Sequence, residues 1–167
     1  MTWPRAQAVM LLSAFGLTIG IVGALRLVHR DAVIPGSIAL TGVSIVESTG
    51  QVRTNMTVVI ANGRIHRVEQ DGRPLAGSDR TFDARGKLVV AVTLDPAEPA
   101  ILDSFRHAWA GQLKPGDPGD VFVLNTFDPR RFRSEDVTDA SVVAAVVGGK
   151  YYTHNMLLAQ REQQGGR

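Results

Sequence analysis

The chain of 167 residues contains no cysteine. That excludes disulfides, thiolate zinc sites and a cysteine nucleophile. Lysine is scarce: it stands only at Lys87, Lys114 and Lys150, and every other basic residue is arginine or histidine. An excess of one charge is missing too. The 18 basic residues against 16 acidic leave a formal +2, scattered along the chain, so the charge balance points to no nucleic-acid partner. His29, His66, His107 and His154 lie far apart and form no metal-binding spacing. A Gly-x-Ser-x-Gly elbow, a phosphate-cradling loop and a dinucleotide fingerprint are also absent. The residues therefore nominate no catalytic group, no cofactor-binding group and no metal ligand. No cofactor and no small-molecule substrate are expected. The apolar content of 44% and charged content of 20% are those of a folded chain, which speaks against global disorder.

What the chain does have begins with an apolar run. Between Arg5 and Arg26 stands AQAVMLLSAFGLTIGIVGAL, twenty residues without a charge. As an α-helix it measures about 30 Å, the hydrocarbon thickness of a bilayer. Gln7, Ser13 and Thr18 are its polar members, and a helix returns Ser and Thr hydroxyls to its own carbonyls. Thr2 suits a cap, Pro4 a first turn and Trp3 a membrane interface. The alternative is a cleaved secretory signal with Val22-Gly23-Ala24 at the cleavage site. The run exceeds the ~7–15 residue core of such signals, which favours an uncleaved anchor. Ser13, Gly16, Gly20 and Gly23 recur at helical spacing and include a GxxxG. Small residues let membrane helices approach to backbone contact. The stripe is thus a candidate packing surface for membrane proteins of a larger complex. Arg5 faces Arg26 and Arg30 across the segment, a slight charge bias. Because the segment looks like an uncleaved export signal, the expectation is a single-pass protein of a bacterial membrane with a periplasmic soluble domain.

Beyond Asp31 the pattern becomes that of sheet. SIALTGVSIVEST reads as a strand from Ile38 to Val46. Thr57–Ala61 and Arg64–Glu69 flank Asn62-Gly63, the pair that accepts positive φ in a tight hairpin. Arg85-Gly86 reads as a turn before a strand ending at Leu94. Ile101, Leu102, Phe105, Trp109 and Leu113 suggest one apolar face of a helix over 100–113. VFVLN is a short apolar strand, and SVVAAVVGGKYYT a hairpin around Gly148-Gly149. About seven strands and one short helix predict a mainly β fold, a small β-sandwich. Residues 1–30 would be the anchor, 31–160 the sandwich and 161–167 a polar tail.

The order of these segments resembles the amidohydrolase superfamily, whose members place a small β-sandwich beside a TIM barrel. VVIANGRIHRV and FDARGKLVV are similar to the family's Asn/Asp-Gly-Arg-Ile hairpin and Asp-x-x-Gly-Lys turn. GQLKPGDPGDVFVLN is similar to the stretch that follows the barrel, and SVVAAVVGGKYY to the closing hairpin. The resemblance covers about 100 residues. It implies that the strand ending at Leu94 leads to an Asp-x-His-x-His metal site. Asp95 matches that Asp, but Ala97 and Pro99 stand where the histidines belong. A barrel needs about 250 residues. Here the chain reaches the post-barrel segment within a short stretch. The resemblance therefore implies the sandwich alone, a scaffold without the barrel and its metal ligands. The expected helix over 100–113 would be a remnant of the barrel's last helix.

Asp95 and Glu98 make a carboxylate pair with no neighbouring base. Asp117 and Asp120 flank Pro118-Gly119 as turn acids. Arg130, Arg131, Phe132 and Arg133 form a basic cluster, either a solvated loop or a docking point for an acidic partner. Asn55-Met56-Thr57 fits a glycosylation sequon. Taken together, the expectation is a non-catalytic accessory subunit of a membrane complex, respiratory or photosynthetic in kind. Two alternatives stay open. One is a truncated hydrolase or a subunit completing a shared active site. The other is an exported binding protein with a cleaved signal.

Overall fold

The computed structural model describes residues 33–70, 77–109, 113–125 and 128–165. The chain divides into two units, and the second, Val33–Arg167, carries all of these residues. Ser13, Gly16, Gly20 and Gly23 lie outside the described residues. Among the described residues no helix is long and apolar enough to cross a membrane.

Among the described residues nine strands form one mixed sheet: β1 (Ile34–Val46), β2 (Val52–Ala61), β3 (Arg64–Gln70), β4 (Ser78–Asp83), β5 (Leu88–Leu94), β6 (Phe105–Trp109), β7 (Val121–Leu124), β8 (Val142–Val147) and β9 (Lys150–Thr153). The order is β3-β2-β1-β5-β7-β8-β9, with β4 also on β1 and β6 also on β5. The mainly β expectation holds. The long strand β1 joins the two halves of the sheet. Ile38 to Thr41 pair in parallel with Arg80 to Asp83 of β4. Ser44 then pairs with Leu88 of β5. Between them lies the Arg85-Gly86 turn, held by Ala84 N–H on Thr41 O (3.0 Å) and Ser44 N–H on Lys87 O (2.7 Å). Gly42 sits opposite that turn with φ of +71°, and a Cβ there would stand 3.2 Å from Arg85 Cα. Glycine is needed both for the conformation and for the approach.

Two hydrophobic cores lie on opposite faces of β5, β7 and β8. Val89, Val121, Val123, Ala144 and Val146 join Ile38, Leu40, Val58 and Ile60 of the other half in the first core. Leu88, Val90, Phe122, Leu124, Val142 and Ala145 face the second. The alternation is the period-two geometry of a strand. Burial on both faces is why LVV and VFVL are uninterrupted apolar runs.

The helix expected over 100–113 is corrected. Among the described residues of that stretch only Ile101–Ser104 is helical (α1). Phe105 is extended, with ψ of 128°, and Phe105–Trp109 is strand β6, antiparallel to Ala91–Leu94 of β5. The apolar residues taken for one face divide between two cores: Ile101, Leu102 and Phe105 go to the second, Leu113 to the first. The edge of β5 at Ala91–Leu94 needs backbone partners, and a helix could not supply them. The longest helix among the described residues lies elsewhere, at His154–Gly165 (α2). It runs past residue 160, so 161–165 continue the helix.

The hairpin turns are as expected. Asn62 and Gly63 have φ of 53° and 70°, and Gly148 and Gly149 have 56° and 73°. A Cβ on Gly63 would meet nothing within 4 Å, so only conformation opposes substitution there. Gly63→Val is expected to cost about 1–2 kcal/mol from the forced left-handed backbone. Equilibrium urea unfolding checks this; an unchanged midpoint would show that the turn tolerates a β-branched residue.

Candidate functional site

The position to inspect is the end of β5, where the resemblance places metal chemistry. There the chain makes a closed elbow. The Asp95 carboxylate accepts the Ala97 N–H at 2.9 Å through Oδ1 and an Arg106 N–H at 2.9 Å through Oδ2. Its own N–H donates to Ser104 O at 2.7 Å, and Glu98 N–H donates to Asp95 O at 3.2 Å. Ser104 Oγ in turn donates to Ile101 O at 2.8 Å. Asp95 begins the elbow with an Asx turn, α1 lays Ile101 and Leu102 on the second core, and β6 returns along β5. The Ala97 N–H, and then the Arg106 guanidinium, hold the Asp95 carboxyl below the usual carboxylate range. It is ionised at neutral pH. Whatever the ion pair adds to stability is present above the ordinary carboxylate pKa and is lost as pH falls through the lowered one.

Beside the elbow, Asp95, Glu98, Pro99, Ile101, Asp120 and Val147 border a shallow depression of about 330 Å³. Asp120 is occupied, since its Oδ1 accepts the Gly148 N–H at 2.8 Å. Asp117 likewise accepts the Lys114 N–H at 3.0 Å, so both acids shape turns. Glu98 is exposed. The described residues lining the depression include no histidine and no hydroxyl paired with a base. The arrangement can attract a cation electrostatically, but offers no nucleophile–base pair.

The basic cluster is redistributed by folding. Phe132 turns inward and packs against the second core. Pro129–Arg131 form a 3-10 turn capped by Asp128 on the Arg130 N–H. Arg131 Nε lies 3.5 Å from Asp128 Oδ2, and Arg133 Nη1 lies 3.2 Å from Glu135 Oε1. Arg133 N–H also donates to Asp136 at 2.6 Å. Arg130 is exposed. Acids of the same loop thus stand beside Arg131 and Arg133, and all three arginines stay exposed.

Among the histidines, His66 is the extra residue of a bulge: Arg67 pairs with Val59 and Ile65 with Ile60. His107 stands opposite Thr93 in the β5–β6 ladder. His154 Nδ1 lies 2.7 Å from Val142 O at the start of α2. Among the described residues no three His, Asp or Glu side chains gather closely enough to hold a metal ion. Within the sequon, Asn55 is exposed but Thr57 is wholly buried in β2.

The sequence reading did not single out Arg106 or Arg161. Arg106 acquires its role from β6, which the helical reading of 100–113 hid. Arg161 of α2 binds two carboxylates distant in sequence: Asp103, at 2.6 and 2.7 Å, and Asp139.

Two motifs of the resemblance, the Asn62-Gly63 hairpin and the Pro-Gly loop of GQLKPGDPGDVFVLN, meet in space. Gly119 N–H donates to Gly63 O at 2.8 Å, and Ile65 N–H to Asp117 O at 2.9 Å. Arg64 Nη1 donates to Gly116 O at 2.8 Å. Tested against models of known protein families and against curated protein sequences, the chain matches none.

Proposed function

We propose that this chain is a non-catalytic, membrane-anchored accessory subunit of a larger membrane complex, respiratory or photosynthetic in kind. In this reading the segment between Arg5 and Arg26 spans a bacterial membrane once. Ser13, Gly16, Gly20 and Gly23 pack on a neighbouring helix. The β domain is a degenerate amidohydrolase-like sandwich on the periplasmic side and serves as an interaction module.

One observation carries the reading. At the end of β5, Ala97 and Pro99 stand where the amidohydrolase resemblance would put metal-binding histidines. Neither side chain can ligate a metal. Asp95 is bound to Arg106, and the chain turns back as β6 at once. The contact between Asn62–Ile65 and Gly116–Gly119 adds support. It brings the leading and trailing segments together without a barrel between them.

Gentle solubilisation of the membrane and co-purification of the tagged chain test the proposal. Gly16→Leu or Gly20→Leu fills the small-residue groove while keeping the segment apolar. Membrane insertion should survive, and recovery of the partner should fall about tenfold or more. Val9→Leu, off the stripe, should change neither. If both glycine variants recover the partner as well as wild type, the helix is only a tether.

A further inference from the structure

We propose that α2 is an ion-latched strap that opens as a unit from the outer face of the β5–β7–β8 sheet, with Arg161 as the latch. This inference is independent of the proposed function. Among the described residues no backbone hydrogen bond ties α2 to another element, so its release leaves every strand ladder intact. Its apolar hold consists of Leu157, which is fully buried, and Leu158, which is half-buried. Side chains do the rest. Gln160 Nε2 donates to Pro99 O at 3.1 Å. His154 Nδ1 lies against Val142 O. Arg161 places Nε and Nη2 on Asp103 of α1 and Nη1 on Asp139. One guanidinium thus pins the helix to two separate segments.

The Arg161 side chain is 37% exposed, and its partners 42% and 49%. Ion pairs this open to water are screened by salt. A twelve-residue helix is marginal without tertiary support. The strap should therefore loosen with ionic strength while the sheet does not. Opening withdraws Leu157 and Leu158 from the second core, which makes the latch a gate on an apolar face.

Hydrogen exchange on the full-length protein in detergent tests this, comparing amides of α2 with those of β8. Sub-global openings exchange faster than the core. The α2 amides should exchange at least about a hundredfold faster than those of β8. Raising salt to about 0.5 M should speed α2 alone. Arg161→Ala should speed α2 by roughly tenfold and leave β8 unchanged, because it removes two ion pairs but no ladder. Asp139→Asn should have a smaller effect in the same direction. Exchange of α2 at the rate of β8, with Arg161→Ala moving both together, would make the helix an integral part of the core and overturn the proposal. An Arg161→Ala variant with unaltered α2 exchange would overturn the latch as well.

Discussion

Phe122→Ala is expected to lower the free energy of unfolding by about 3–5 kcal/mol, the range for deleting a fully buried aromatic. Phe122 has no exposed surface and, among the described residues, is the largest side chain so enclosed. It stands in β7, between β5 and β8, where Val90 and Ala145 are its ladder partners. Phe105 of β6 packs on it with ring centroids 5.6 Å apart. Strands on both sides and β6 from a third direction leave no element free to collapse into the hole. A domain is stable by only about 5–15 kcal/mol, so the variant would lose a large share of its margin. Urea unfolding read by circular dichroism measures the loss. Phe132→Ala, on the half-buried loop at the rim of the same core, should cost clearly less. If Phe122→Ala costs under about 1 kcal/mol, the second core is not organised around β7.

Gly119→Val is the second large effect, and its cause is overpacking. Gly119 does not sit in the left-handed region; what it lacks is room. A Cβ there would stand 2.7 Å from Ile60 Cγ2 and 3.0 Å from both Arg64 N and Gly63 C. Two of those atoms are backbone, and the third belongs to a core side chain that is 1% exposed. Any adjustment must part the Asn62-Gly63 hairpin from the strand entry at Asp120. That would stretch the 2.8 Å bond from Gly119 N–H to Gly63 O. Overpacking of this kind costs about 1–3 kcal/mol, and the added methyls of valine put this site at the upper end. The melting temperature should fall by about 10 °C. Gly119→Ala should lose less, and Thr54→Ala, on an exposed position, should lose almost nothing. A Gly119→Val variant melting with wild type would mean the two motifs do not touch in solution.

These two sites differ in how visible they were beforehand. VFVL was legible as a strand, because an uninterrupted apolar run bounded by turn residues has few other readings. That Phe122 and Val123 serve different cores was not legible, since both faces of the strand are apolar. Gly119 belonged to a recognisable Pro-Gly turn, but its need to be glycine comes from Ile60, far away in sequence. The same contrast runs through the elbow. Ala97 and Pro99 could be set against the resemblance by counting from the Gly-Lys turn. Arg106 could not, because its partnership with Asp95 exists only once Phe105–Trp109 lies along β5.

α2 was missed for an energetic reason. HNMLLAQREQQG has little amphipathic pattern, and only Leu157 is wholly buried. Its position depends on Asp103, Asp139 and the second core, none of which is adjacent in the chain. The cluster at Arg130–Arg133 shows the same dependence. The acids beside Arg131 and Arg133 are in the same stretch, but which of them turn toward the arginines is set by the 3-10 turns.

The sequence by itself determined the mainly β class and the places where the chain reverses. Asn62-Gly63 and Gly148-Gly149 specify their turns because positive φ is a property of the residues themselves. Alternating or continuous apolar runs specify strands because the side-chain period belongs to a single chain segment. Tertiary structure alone decided that 105–109 is strand, that α2 covers the second core, and that Asp95 is paired with Arg106. Each of these depends on an exposed strand edge, an uncovered apolar face or an unneutralised charge supplied by a distant part of the chain. Such demands arise only when the sheet assembles, and they override the weak local preferences of the residues that meet them.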